Sequence, residues 1–187
     1  MRPQKVDDQK LLSGLMSVLR SKGYDGASLN ELASASGLQK ASLYHRYPGG
    51  KKDITLAVLQ FVNQWLEKHI VNILTHQERE PEERLREALK NINLLYDSGK
   101  LTCILRALSM DSGLDLFKLQ LQEAMQAWIH AFGILGKNMG MSEELSKKKA
   151  VQTLVKVQGS LVVCKTLEDY SFFDEALKDI EKMYRDT

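Results

Sequence analysis

Residues 39–46 read Gln-Lys-Ala-Ser-Leu-Tyr-His-Arg. Gln39, Lys40, Ser42, Tyr44, His45 and Arg46 all carry hydrogen-bonding or charged groups, and none is a carboxylate. That set suits a polyanion with readable edges. A glutamine pairs with an adenine edge or holds a phosphate, and a lysine reaches a guanine edge or a phosphate. Hydroxyl, imidazole and guanidinium groups anchor the nucleic-acid backbone, and the Tyr47 hydroxyl just beyond can do the same. Two neighbouring positions add to the set. Ser28 and Asn30 open one helical segment and Lys51 and Lys52 open another, and free amides at a helix start favour an anion.

No comparable set points to catalysis. His69 and His76 stand two turns apart on one face, and no acid or cysteine pattern completes a metal site with them. Glu78, Glu80, Glu82 and Glu83 form a charge run that reads as solvated surface. There is no glycine-rich phosphate loop and no nucleophile motif. No enzyme activity, cofactor or metal is therefore expected.

The 39–46 side chains reach a groove only if a short helix carries them and something holds that helix from behind. The periodicity supplies both. Apolar residues recur at three and four nearly everywhere, and strand-like alternation is absent. The spacing predicts a first helix over residues 6–21, stopped by Gly23. Ser28-Leu29-Asn30-Glu31 reads as a capping box that starts a second helix, which Gly37 ends. A third helix follows over 39–46, with Leu38, Ala41 and Leu43 facing inward, and Pro48-Gly49-Gly50 breaks the chain after it. A long fourth helix covers 51–75. Further helices are expected over 81–96, 101–109, 114–137, 142–166, with Ser142 as cap, and 172–184, with Ser171 and Asp174 as a weak capping pair. The reading is all-α with nine helices. Residues 1–50 form a three-helix helix-turn-helix head, and residues 51–187 form a larger helical body.

Composition agrees. The chain has 187 residues, 43% apolar and 27% charged, enough for a core without staples and unlike a disordered chain. Its net charge is only +2, but residues 1–55 hold nine Lys and Arg against five acids. The head is thus +4, and Arg2 and Lys5 extend it as a possible basic arm. Cys103 and Cys164 make no disulfide framework, and no apolar run of bilayer length occurs. Residues 1–10 lack the apolar segment of a secretory signal, so a cytoplasmic protein with no membrane partner is expected. Two short helices around a glycine turn fit a DNA-reading pair, and they also fit helices that merely complete a core. The alternative is an all-helical dimeric module that binds a small molecule or a protein and no DNA.

The stretch from Ala27 to Ile54 resembles the DNA-binding signature of the TetR family of transcriptional regulators. The resemblance rests on the Ser28 cap, the Leu32-Ala33 pair, the Gly37 turn, the Lys40-x-Ser42-Leu43-Tyr44-x-x-Tyr47 run and Lys51. The Pro48-Gly49-Gly50-Lys51 turn is similar to a branch that includes drug-responsive repressors. Gln39 departs from the family, which usually places Ser or Thr there, and Tyr47 stands for the more usual phenylalanine. The resemblance implies a homodimeric repressor of double-stranded operator DNA, released by an unknown small-molecule effector. It places Lys40, Tyr44, His45 and Lys51 at DNA-contact positions, with Ser28 and Asn30 near the backbone.

In the body, Trp65, His69, Tyr96, Cys103, Met125, Trp128 and Phe132 are candidates to line a mostly apolar ligand cavity among the central helices. The same residues also fit an ordinary core. The two C-terminal helices offer Val155, Gly159, Leu161, Val162, Phe172, Phe173 and Leu177 for dimerisation. Gly159, without a side chain, would let a second helix approach closely. A dimer carries two heads, which suits paired half-sites about one helical turn apart.

Overall fold

Asp7 starts the first helix, its carboxylate accepting from the Gln9 amide at 3.4 Å. The computed structural model describes residues 7–186, and no strand occurs among them; Arg2 and Lys5 lie outside the described residues. Helix α1 (Asp8–Gly26) buries Leu11, Leu15 and Leu19. Its regular part ends where expected, because Gly23 has a φ of 68° that leaves the helical region. Next come α2 (Leu29–Ser36), α3 (Lys40–Arg46) and α4 (Lys51–Leu66). Helix α4 runs on through a π-helical turn (Glu67–Val71) into Asn72–Thr75. The body adds α5 (Pro81–Leu95), α6 (Ile104–Leu108), α7 (Asp111–Asn138), α8 (Glu143–Leu167) and α9 (Ser171–Arg185). With the α4 run taken as one, that is nine helices among the described residues.

The chain forms two compact units. One comprises the residues up to Asn63 with Ile104–Leu121; the other comprises Gln64–Cys103 with the residues from Gln122 onward. The first unit therefore takes in more than residues 1–50: α6 and the first turns of α7 return to it. Within it, α1 packs on α2 and on α6. The approach to α2 is close at Gly14, where a Cβ would overlap the Ala35 carbonyl. Asp25, just after Gly23, accepts from the Ser112 amide at 3.1 Å and so satisfies the start of α7. The Tyr24 ring meets the edge of Phe117 at 5.2 Å.

In the second unit, α9 packs on α8 and on α5. Two buried cations there find helix C-termini in place of carboxylates. The Arg84 guanidinium is 1% exposed and donates to the Leu74 carbonyl at 2.8 Å. With the Asn138 amide oriented to satisfy both its ends, Arg84 also donates to Asn138 at 3.3 Å, and Asn138 donates to the Ile134 carbonyl at 2.7 Å. Lys149, 8% exposed, donates to the Met183 carbonyl in the last turn of α9. Helix C-termini carry partial negative charge, which offsets the cost of burying such groups.

Two local expectations are corrected, on α3 and at the start of α9. Ala41 is exposed, so Leu43 alone is buried on α3. On α7 the buried stripe runs through Phe117, Leu121, Ala124, Trp128, Ala131 and Leu135, and Leu116 and Leu119 are exposed. Helical geometry breaks at Phe117, which has φ −125° and ψ 18°, and that sets which side faces inward. Ser171 is the first residue of α9 and not its cap; Asp169 instead accepts from the Ser171 amide at 2.9 Å.

Candidate nucleic-acid interface

The interface begins at the α2 cap. The Ser28 hydroxyl accepts from the Glu31 amide at 3.3 Å, and the Glu31 carboxylate accepts from the Ser28 amide at 3.1 Å. Lys22 pairs with the same carboxylate. The Lys22 ammonium first, then the Ser28 hydroxyl and amide, hold the Glu31 carboxyl at about 2. The cap fixes where α2 starts, and Gly37, at φ 71°, ends it with a left-handed turn that a side chain would resist. That turn aims α3.

Helix α3 has one buried residue, Leu43, which is 1% exposed. Gln39, Lys40, Ser42, Tyr44, His45 and Arg46 are all exposed, and Tyr47 is half-buried. Gln39 stands at the N-cap and makes no capping bond, so its amide is free for another partner. Lys40 has no partner among the described residues. Arg46 is engaged: it pairs with Asp8 at 2.9 Å and lies over the Tyr47 ring at 5.9 Å. Ser28 is engaged too, inside its own cap, while Asn30 is exposed.

Lys51 is engaged within the head. Its ammonium turns toward the α1–α2 connection, donating to the Ala27 carbonyl at 3.1 Å and the Asp25 carbonyl at 3.4 Å. It also lies 4.5 Å from the centre of the Tyr24 ring. Lys52, the next residue, is exposed and has no partner among the described residues. Nothing in the local spacing distinguished the two lysines. What separates them is a helical rotation of one residue, which turns Lys51 toward Tyr24 and Lys52 to solvent.

Residues 11–58, from inside α1 into α4, match the family described as bacterial regulatory proteins, tetR family. That segment of the head is similar to the DNA-binding region of this family. The HTH-type transcriptional regulator LmrA of Bacillus subtilis is 22% identical over 165 residues, covering 86% of this chain and 87% of the relative. A TetR transcriptional regulator from Legionella pneumophila has the same fold, with a TM-score of 0.80 at 18% identity over 97% of this chain and 98% of that one. A cysteine mutant of the TetR family regulator CifR, solved with 26-bp double-strand operator DNA, has a TM-score of 0.73 at 21% identity over 98% of each chain.

The remaining candidates fall in the second unit. Trp65 stacks on His69 at 4.7 Å, and the His69 carbonyl, inside the π-helical turn, accepts from Asn91 at 2.9 Å. The buried Tyr96 hydroxyl donates to Cys103 Sγ at 3.4 Å. Trp128 and Phe132 are buried with ring centres 6.2 Å apart, and Met125 is half-buried. The Trp128 indole N–H is a buried donor without an acceptor. A separate groove of about 250 Å³ is lined by Ile129, His130, Gly133, Lys137 and Lys147 among others, and none of the seven ligand candidates lines it.

The dimerisation candidates divide. Val155 is 63% exposed and Val162 43%; Phe172 is exposed, and Gly159 faces open space. Leu161, Phe173 and Leu177 are buried within their own unit, so they support the face from behind and do not lie on it. Tyr24, Asp25 and Ser112 were not among the expected residues. Their signal was weak, because a Tyr-Asp pair after a glycine looks like a plain link until its partner arrives 87 residues later.

Proposed function

We propose that this chain is a dimeric, ligand-responsive repressor that binds double-stranded operator DNA in the cytoplasm. The observation that carries the reading is α3 itself. One leucine anchors it, and its remaining polar side chains are exposed in a width that a major groove admits. Gln39 and Lys40 read base edges. Ser42, Tyr44, His45 and Tyr47 hold the backbone, with Asn30 near it.

Two copies associate through the exposed Val155, Gly159, Val162 and Phe172 of α8 and α9. The effector is a mostly apolar molecule held among Trp65, His69, Tyr96, Cys103, Met125, Trp128 and Phe132. The π-helical turn under His69 and the unanswered Trp128 N–H support that placement, since such turns and unpaired donors recur at functional sites. The Pro48-Gly49-Gly50-Lys51 turn aligns the chain with drug-responsive members of the family.

Selection of bound duplexes from a random pool tests the reading. The expected product is a palindrome whose half-sites lie about one helical turn, or a multiple of it, apart. If the chain enriches no sequence and binds random duplexes no better than an unrelated protein of equal charge, the reading fails.

A further inference from the structure

We propose that the outer groove between α7 and the first turns of α8 is a second binding site, and that it takes a straight-chain alkyl carboxylate. It is separate from the effector placement above and does not depend on the DNA-binding reading.

The groove has a volume of about 250 Å³. Helical spacing puts its α7 residues, from Gln126 to Lys137, on the side of that helix opposite the buried Trp128, Ala131 and Leu135. They cover about 16 Å of helix, so the groove is long for its volume and suits an extended chain. Ile129 and Ile134 supply aliphatic walls, and among the described residues no Phe, Tyr or Trp lines it.

Two glycines of α7 differ in what accounts for them. At Gly136 a Cβ would stand 3.1 Å from Ser146, so the close approach of α8 requires the glycine. At Gly133 a Cβ would meet nothing within 4 Å. No packing partner accounts for this residue, which weakens a helix interior. Its effect is to leave the floor of the groove open.

The charges select the sign of the occupant. One carboxylate lines the groove, that of Glu143, and Lys137 pairs with it at 3.1 Å. Lys147, near the start of α8, also lines the groove and has no partner among the described residues. The same holds for the exposed His130 and Gln126. An ammonium, an imidazole and an amide thus rim an apolar floor with no unpaired carboxylate beside them. That arrangement complements a carboxylate carried on an alkyl tail. A neutral or cationic amphiphile would leave Lys147 unanswered.

Isoleucine methyl groups report the site directly. The whole chain, methyl-labelled at isoleucine, would be titrated by NMR with octanoate below its micelle-forming concentration, and with 1-octanol and octylammonium as matched probes. Octanoate should move the Ile129 and Ile134 methyls to saturation and leave Ile54 in the head and Ile70 beside His69 in place. 1-Octanol should bind about two- to fivefold more weakly and octylammonium more weakly still. Lys147→Gln should weaken octanoate by the same factor and leave 1-octanol unchanged. Gly133→Leu should abolish the shifts. Leucine favours a helix over glycine, so this variant should melt no lower than wild type and keep its sedimentation.

The proposal is overturned if octanoate leaves Ile129 and Ile134 unmoved, or if it moves Ile70 alone, which would place it in the central cavity. It is overturned equally if the three probes bind alike or if Lys147→Gln binds octanoate as wild type. A Gly133→Leu variant that changes the oligomeric state would mean that a second copy covers the groove, and that too overturns it. Should Gly133→Leu fail to fold, the probe series and Lys147→Gln still decide.

Discussion

Helices α3 and α8 depart from ordinary amphipathic packing in opposite directions. Helix α3 buries one leucine and exposes its remaining polar residues. Helix α8 buries Ser146, Lys149 and Thr153 and exposes Val151, Val155, Val162 and Val163. These three residues are satisfied: Thr153 donates to the Lys149 carbonyl at 2.9 Å, Ser146 to the Ser142 carbonyl at 2.8 Å, and Lys149 to the end of α9. The valines have no such answer within the chain. A surface of donors and charge suits a polyanion, and a stripe of valines around a glycine suits a second apolar helix. The two helices thus present surfaces of opposite character.

The sharpest way to break that comparison is to make the α8 face polar. Val155→Glu with Val162→Glu removes about 1.5–3 kcal/mol of apolar burial per valine from each subunit, before the cost of desolvating the new charges. The expected result is a folded monomer in sedimentation, with operator binding abolished at concentrations where the wild type saturates. A dimer of unchanged strength would mean that the valines face solvent in the assembly.

The contrast extends to cations. Lys40 and Lys52 point outward, while Arg84 and Lys149 are buried against helix C-termini. Arg84→Ala leaves the Leu74 carbonyl unanswered and opens a cavity, so it should cost about 2–5 kcal/mol. Thermal unfolding would read that as about 2–4 °C per kcal/mol for a chain of this size. Arg84→Met, which fills the volume without a charge to bury, should cost less. Lys40→Gln should leave the melting temperature in place. Equal melting temperatures for Arg84→Ala and wild type would remove the structural role given to the guanidinium.

These cases explain what the sequence made legible. The capping box at Ser28, the Gly37 turn and the lone Leu43 anchor depend on neighbours within a few residues, so the head's helices could be placed with little error. The Gln39 cap is bare, as glutamine's poor capping implies. Long-range partners were hidden. Asp25 with Ser112, Arg84 with Leu74 and Lys149 with Met183 join residues whose spacing carries no periodic signal. The α7 stripe is hard to read from periodicity because its inward positions include Ala124 and Ala131, while the larger Leu116 and Leu119 stay outside. On α8 both faces are apolar in part, so periodicity alone could not separate the core leucine, Leu161, from the exposed Val162 beside it.

A smaller effect tests how α3 reads sequence. Gln39 makes no capping bond at the N-cap and Lys40 follows it, so neither has an existing bond to break on meeting a partner. Gln39→Ala should relax preference at one base pair by about 1–3 kcal/mol while leaving binding to random duplex unchanged. A uniform weakening across all sequences would assign Gln39 to the backbone instead.

The smallest effect lies at the cap that positions this helix pair. Ser28→Ala should cost about 1 kcal/mol of stability, since the Glu31 amide loses its acceptor. The Glu31 carboxylate answers differently, through pH. Lys22 and Ser28 hold its carboxyl at about 2 in the folded chain, below the ordinary value of 4.5. A depressed folded value means that the unfolded chain takes up the proton first. The contribution is therefore fully present above about pH 4.5 and drains away as pH falls toward about 2. Comparing wild type with Glu31→Gln, the gap in melting temperature should be constant near neutrality and close across that acid range. Because the pair is exposed, added salt should shrink the gap. A gap that persists at the acid end would mean that Glu31 acts there by packing alone and that its charge contributes nothing to the cap.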